Sequence, residues 1–166
     1  MKKSIFSLII FSLTFGLYAQ ITQLPEVVIT AVNYKYLNAV DSSENDISVQ
    51  MLQEKVALFD LKSSEFYNDE YDTYMISFFI PEGKILAAYN EDGKVIRTIE
   101  KFKNIKLPQR VRDAVTKRFP NWSLEKDIYT VNYHEDGNNT KKQYKVKLKN
   151  QDEVIRVKLN EEGAFL

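Results

Sequence analysis

His134 is the only histidine in the chain, and cysteine is absent. A general base or a metal ligand works as part of a constellation, in which a second group orients it or completes the coordination. His134 stands beside Glu135 and Asp136 at the start of a turn, Glu135-Asp136-Gly137-Asn138-Asn139, with no second His or Cys to join it. A solvated turn histidine is the expectation. The carboxylates Glu65, Asp69, Glu70 and Asp72 invite a calcium reading. They lack the alternate-position oxygens and central Gly of an EF-hand loop, so a solvated loop is expected there. Without Cys, thiolate zinc sites, thiol redox chemistry and Cys nucleophiles are excluded. There is no G-x-x-x-x-G-K and no G-x-S-x-G, and a signature that pairs two histidines across a glycine cannot be built from one. The residues therefore predict a protein that is not an enzyme, with no catalytic, metal or cofactor-binding residues.

Recognition is the chemistry that remains. Tyr144, Val146 and Leu148 alternate with Lys145, Lys147 and Lys149, and Ile155, Val157 and Leu159 alternate with Arg156 and Lys158. Period-two alternation places one set on each face of a sheet, so one face is apolar and the other cationic. Those cations must be solvated or meet an acidic partner. Lys145, Lys147, Arg156 and Lys158 are accordingly candidate partner-binding residues. Tyr67 and Tyr71, among the acidic residues 65–72, form a second candidate contact edge, because Tyr supplies area at low entropic cost. Tyr74 is read as core, and Trp122 as packing a helix end onto the sheet.

The elements that must position these groups follow from periodicity. Pro25 to Thr30 reads as a strand that Tyr34-Lys35-Tyr36 extends. Residues 41–46 form a loop and an N-cap region. Val49, Leu52, Val56 and Phe59 recur at helical spacing, giving an amphipathic helix over 47–59. Strands are predicted near 74–80, 84–89 and 94–99, with Asn90-Glu91-Asp92-Gly93 as a hairpin turn. Pro108 opens a helix whose stripe is Val111, Ala114, Val115 and Phe119. Strands near 125–134, 142–149 and 153–160 follow, with a short edge at 164–166.

Tyr74–Ile96 aligns with Tyr144–Leu166 at a constant offset of 70, which matches Asn90-Glu91-Asp92-Gly93 to Asn160-Glu161-Glu162-Gly163. A fixed period suggests a repeated supersecondary unit. The expected fold is α+β, built as two tandem helix-plus-antiparallel-sheet repeats over 46–100 and 105–166, together one compact unit. In the first repeat the outer positions are Met75, Ser77, Phe79, Leu86 and Ala88. That sheet is apolar on both faces and needs a cover. An alternative function follows: periplasmic carriage of a small apolar ligand, held between the two sheets or beneath the N-terminal segment, in a closed cavity bordered by Met75, Phe79 and Leu86.

Three runs resemble the PepSY-like family of Bacteroidetes envelope proteins: Tyr74 to Phe78, Ile85 to Val95, and Leu107 to Trp122 with its Leu-Pro opening and Phe-Pro-x-Trp close. The resemblance covers about residues 47–166. It implies a fold related to the β-lactamase inhibitor protein, and an exported protein whose relatives bind or restrain other proteins, peptidases among them. It carries no catalytic residues. Leu24 to Ala31 lies outside it.

Lys2 and Lys3 precede an apolar run, Ile5 to Leu17, that ends at Leu17-Tyr18-Ala19. This reads as a secretory signal peptide over 1–19, too short for a membrane span of about 20 residues. Residues 20–45 would then be an N-terminal strand and linker. Cleavage would leave 166 − 19 = 147 residues, with 21 basic and 23 acidic side chains, a net charge of 21 − 23 = −2. Such a balance speaks against nucleic acid as a partner. With no Cys available for disulfides, the core must rest on packing, and the aromatic residues, 21 in the full sequence, are its obvious material. The expected location is a Gram-negative periplasm or the cell exterior, without stable membrane insertion. The expected partner is an envelope protein, a peptidase being one candidate.

Overall fold

Alternation of apolar and polar residues, interrupted by turn-forming pairs, dictates most of the chain after Asp72. In the computed structural model, which describes residues 33–41, 43–136 and 140–166, it becomes six strands. They are β1 (Thr73–Ile80), β2 (Gly83–Asn90), β3 (Val95–Lys103), β4 (Ser123–His134), β5 (Lys141–Asn150) and β6 (Glu153–Leu159). All pair antiparallel with their sequence neighbours, giving one sheet in the order β1-β2-β3-β4-β5-β6. Three helices complete the described residues: α1 (Tyr34–Val40), α2 (Ile47–Ala57) and α3 (Gln109–Arg118), the last inserted between β3 and β4.

The apolar stripes of the helices explain the layering. Tyr36 and Val40 of α1, Val49, Leu52 and Val56 of α2, and Val111 and Val115 of α3 are buried in one core with one face of the sheet. That face presents Tyr74, Phe78, Ile85, Tyr89, Phe102, Tyr129, Tyr144, Val146 and Leu148, all nearly inaccessible. Sheet and helices thus form two layers, and the other sheet face has no layer upon it among the described residues. Aromatic rings fill the core as the composition required. Tyr129 stacks on Tyr144 at 4.5 Å between centroids, and Phe59 meets Phe78 edge-on at 5.4 Å. Phe119, Trp122 and Phe165 close the end of α3 against the sheet, with Phe119–Trp122 at 6.3 Å, the packing role read for Trp122.

One expectation is corrected. Tyr34-Lys35-Tyr36 begins α1 rather than extending a strand. Tyr36 and Val40 lie four residues apart and are both buried, so the helical period, not the period of two, reaches the core. The six strands form one sheet, and a tandem two-repeat organisation is not shown. β3 and β4 pair from Arg97↔His134 to Lys103↔Ile128, so residues 46–100 and 105–166 share one continuous sheet. The predicted signal segment and the strand over 25–30 lie outside the described residues.

The 70-residue offset does appear at the level of single hairpins. Tyr74↔Tyr89 and Phe78↔Ile85 in β1–β2 correspond to Tyr144↔Leu159 and Leu148↔Ile155 in β5–β6. The following turns share three hydrogen bonds. The amides of Lys94 and Ala164 each donate to the Oδ1 of Asn90 and Asn160 at 2.8 Å. Gly93 and Gly163 take φ of 78° and 81°, a left-handed conformation that favours glycine.

The start of α2 follows its local chemistry. The Asp46 side chain accepts from the Ser48 amide at 3.0 Å and from the Lys106 amide at 2.7 Å. These bonds hold its carboxyl below the usual range in spite of partial burial.

Candidate functional site on the open sheet face

Register decides what the open face displays. Lys145 stands directly opposite Lys158, and Lys147 opposite Arg156, across β5–β6. On the other side Lys147 pairs with Lys126 and Lys145 with Ile128. All four predicted basic residues therefore lie on one face and adjoin one another. Like charges placed directly opposite across two strands destabilise a sheet. Here two such pairs are consecutive on the same face. A carboxylate does reach them: a bulge between Leu124 and Lys126 accompanies the ion pair of Glu125 with Lys147 at 2.5 Å. The Lys147 hydrogen bond holds the Glu125 carboxyl below its ordinary range. That leaves Lys145, Arg156 and Lys158 facing solvent.

The twist of the sheet folds this cationic patch into an open groove of about 390 Å³, lined by Ile128, Lys145, Lys147, Arg156 and Lys158. Aliphatic stems form its floor and charged heads its rim, as long cationic side chains do on apolar surfaces. Such a groove can take an anionic group while contacting an apolar one beside it. Asp127 lies beneath the groove, buried toward the helices, where it accepts from the Ile105 amide at 3.2 Å. Burial raises its carboxyl above the usual range.

The tyrosines are placed elsewhere. Tyr67 stacks on Tyr74 at 5.6 Å and is half-buried, and Tyr71 meets Tyr74 edge-on at 6.4 Å while remaining 58% exposed. The Tyr74 hydroxyl donates to the Asn68 carbonyl, fixing the loop on β1. Since β1 and β5 are four strand spacings apart, roughly 19 Å, Tyr67 and Tyr71 do not share a site with the basic groove. Tyr67 is partly core, and Tyr71 alone of the two presents a mainly open ring. Glu65, Asp69, Glu70 and Asp72 are all exposed in the same loop. Among the described residues no group of three His, Asp or Glu side chains is arranged to hold a metal ion.

Met75, Leu86 and Ile99 share the open face of β1–β3 with Arg97 and His134 in a second groove of about 400 Å³. His134 Nδ1 accepts from the Asp136 amide at 3.3 Å. Phe79 is 67% exposed. A cavity between two sheets does not form among the described residues, because there is one sheet and these side chains stand on its open surface; the other place expected for a carried ligand, beneath the N-terminal segment, lies outside the described residues.

A buried polar cluster escaped the sequence reading. Glu100 on β3 points into the core, where its carboxylate accepts from Tyr36 Oη at 2.9 Å, Gln53 Nε2 at 2.8 Å and Thr98 Oγ1 at 2.8 Å. Burial raises its carboxyl, against the lowering effect of these donors and of nearby Lys142. The signal was in the phase: Thr98 and Glu100 fall on the same face as Phe102, and Lys142 on the same face as Tyr144 and Val146. Lys142 is accordingly sunk to 8% side-chain exposure and paired with Glu161 at 3.0 Å. The cluster joins α1, α2 and β3, and it is closed to solvent.

No family model matches the chain. No curated protein matches it either. Among solved structures, the chain is similar to a DUF2874 family protein from Bacteroides ovatus at 15% identity, over 57% of this chain and 67% of that one, with a TM-score of 0.34.

Proposed function

We propose that this chain is a non-enzymatic, exported protein-binding module of PepSY-like type, which takes an acidic partner on the open face of β4–β6. The observation that supports this reading is the pair of adjacent like-charge couples, Lys145↔Lys158 and Lys147↔Arg156. They oppose sheet formation, and an anionic surface laid on the groove relieves them. A peptidase is one partner class that the PepSY-like resemblance implies. The test is capture of partners from an envelope extract of the host, comparing the chain with its Lys145→Glu/Lys147→Glu variant at low and moderate salt. The expected result is a protein held by the unaltered chain and lost both on charge reversal and as salt rises. Equal capture by the variant would remove the basic face from the proposal.

A further inference from the structure

Among the described residues β6 is an edge of the sheet, and its backbone orientation can be read from one bond. The Leu166 amide donates to the Lys158 carbonyl at 2.9 Å, on the side away from β5. Lys158 therefore turns its backbone groups outward. Since orientation repeats every second residue along a strand, Arg156 and Val154 turn theirs outward too. Residues 164–166 cover the edge at Leu159, through its bridge to Phe165. No backbone bond to Arg156 or Val154 comes from that side among the described residues. The open stretch, 153–157, is about five residues or roughly 17 Å long.

The side chains around this stretch differ on the two faces. On the open face stand Arg156 and Lys158, with Lys145 and Lys147 opposite them on β5. Beyond the edge lies a groove of about 500 Å³ in which Val157, Phe119 and Phe165 meet Arg118, whose guanidinium sits 4.4 Å from the Phe165 ring centroid. A strand laid along β6 would place alternate residues over the cations and the intervening residues against these rings. The charge also decides which strand is accepted. An edge bearing cations resists pairing with a second copy of itself, the usual means by which edges are protected. The same charge attracts a strand carrying carboxylates. The opposite edge, β1, presents Met75, Ser77 and Phe79 at its outer positions and exerts no such selection.

We propose that β6 is a docking edge for an extended segment of a partner protein in which acidic and apolar residues alternate, adding as a further strand beside Val154 and Arg156. The proposal rests on the reading of the basic face as an acidic-partner site and specifies how the partner lies there. Backbone bonds supply affinity that does not depend on sequence, and the alternate side chains supply choice.

The experiment uses the isotopically labelled full chain and a synthetic peptide of alternating Glu and Val. Two controls accompany it: a peptide of the same composition with its Glu residues in one block, and an alternating peptide N-methylated at every second amide. At low salt the alternating peptide is expected to slow hydrogen exchange at the Val154 and Arg156 amides by about tenfold or more. The blocked and N-methylated peptides are expected to bind roughly tenfold more weakly, because one loses the register and the other the backbone bonds. Binding that shifts Lys145 and Lys147 resonances without protecting Val154 or Arg156 would overturn edge docking and leave the face reading standing. Equal binding by the N-methylated peptide would overturn it as well. Absence of any binding by the alternating peptide would overturn it too, while capture by the unaltered chain and not by the charge-reversed one would still report on the face.

Discussion

The Tyr36 hydroxyl donates to the Glu100 carboxylate at 2.9 Å, tying α1 to the middle of the sheet. Burial holds the Glu100 carboxyl above its ordinary value of 4.5, so the folded protein binds this proton at higher pH than the unfolded chain. Stability contributed here rises as pH falls from above the raised value toward 4.5, by at most about 1.4 kcal/mol per pH unit for one proton. Buried Asp127 acts in the same direction. Asp46 and Glu125, whose carboxyls are lowered, act in the opposite direction and only at pH below their ordinary values. Glu100→Gln keeps an acceptor for Tyr36 and Thr98 and removes the titration. Urea midpoints between about pH 5 and pH 7 should therefore change less with pH in the variant than in the unaltered protein. Identical slopes would mean that Glu100 is already ionised, or neutral, throughout that range.

Lys158→Glu should separate stability from function. It converts the Lys145↔Lys158 couple into an opposite-charge pair, which favours the sheet by roughly 0.5 kcal/mol after solvent screening. The same change places a carboxylate where the proposed partner carries its own. Thermal melts should show a small gain in stability, largest at low salt, while partner capture falls. A loss of stability would mean that these cations do not strain the sheet.

Gly83 and Gly93 should respond differently to alanine. Gly83 opens β2 opposite Phe102, where an added Cβ would meet the Lys101 carbonyl oxygen and come within 2.8 Å of the Phe102 Cα. Backbone cannot yield as a side-chain tip can, so Gly83→Ala should cost about 2–3 kcal/mol. Gly93 has space, with Leu61 Cβ at 3.8 Å, but a φ of +78°. Gly93→Ala should cost about 1 kcal/mol, from conformation alone. Chemical denaturation of both variants measures the difference, and equal losses would contradict this assignment of causes.

The contrast between these glycines also marks what the sequence could disclose. Asn90-Glu91-Asp92-Gly93 announced its turn, because local conformation depends on local residues. Gly83 reads only as a turn glycine, since the backbone that forbids a side chain there comes from β3. The basic face was legible for the first reason: alternation at Lys145, Lys147, Arg156 and Lys158 fixes the face wherever the strands pair. Their juxtaposition as directly opposed couples depended on register, which a two-residue change in turn length would have altered. The continuity of the sheet was not legible, because congruent hairpins do not specify whether β3 and β4 pair. Tyr34-Lys35-Tyr36 was misassigned because a segment this short fits both periods until Val40 is included.

Asn33 provides the last test. It is 4% exposed and immediately precedes α1. Its Nδ2 donates to the carbonyls of Ala57 at 3.1 Å and Gly93 at 3.2 Å, and its Oδ1 accepts from the Val95 amide at 2.7 Å. One side chain thus joins the end of α2, the β2–β3 turn and the start of β3. Asn33→Ala would leave two carbonyls and one amide without these partners in a space closed to water. The expected loss is about 3 kcal/mol, more than a single exposed hydrogen bond contributes. Asn33→Asp keeps the acceptor for Val95 but turns the donor toward Ala57 and Gly93 into a second acceptor facing carbonyl oxygens. It should therefore be no less damaging at neutral pH and should recover in part on acidification, when protonation restores one donor. Denaturant unfolding at two pH values distinguishes this from a simple loss of packing, which would leave the Asp variant indifferent to pH.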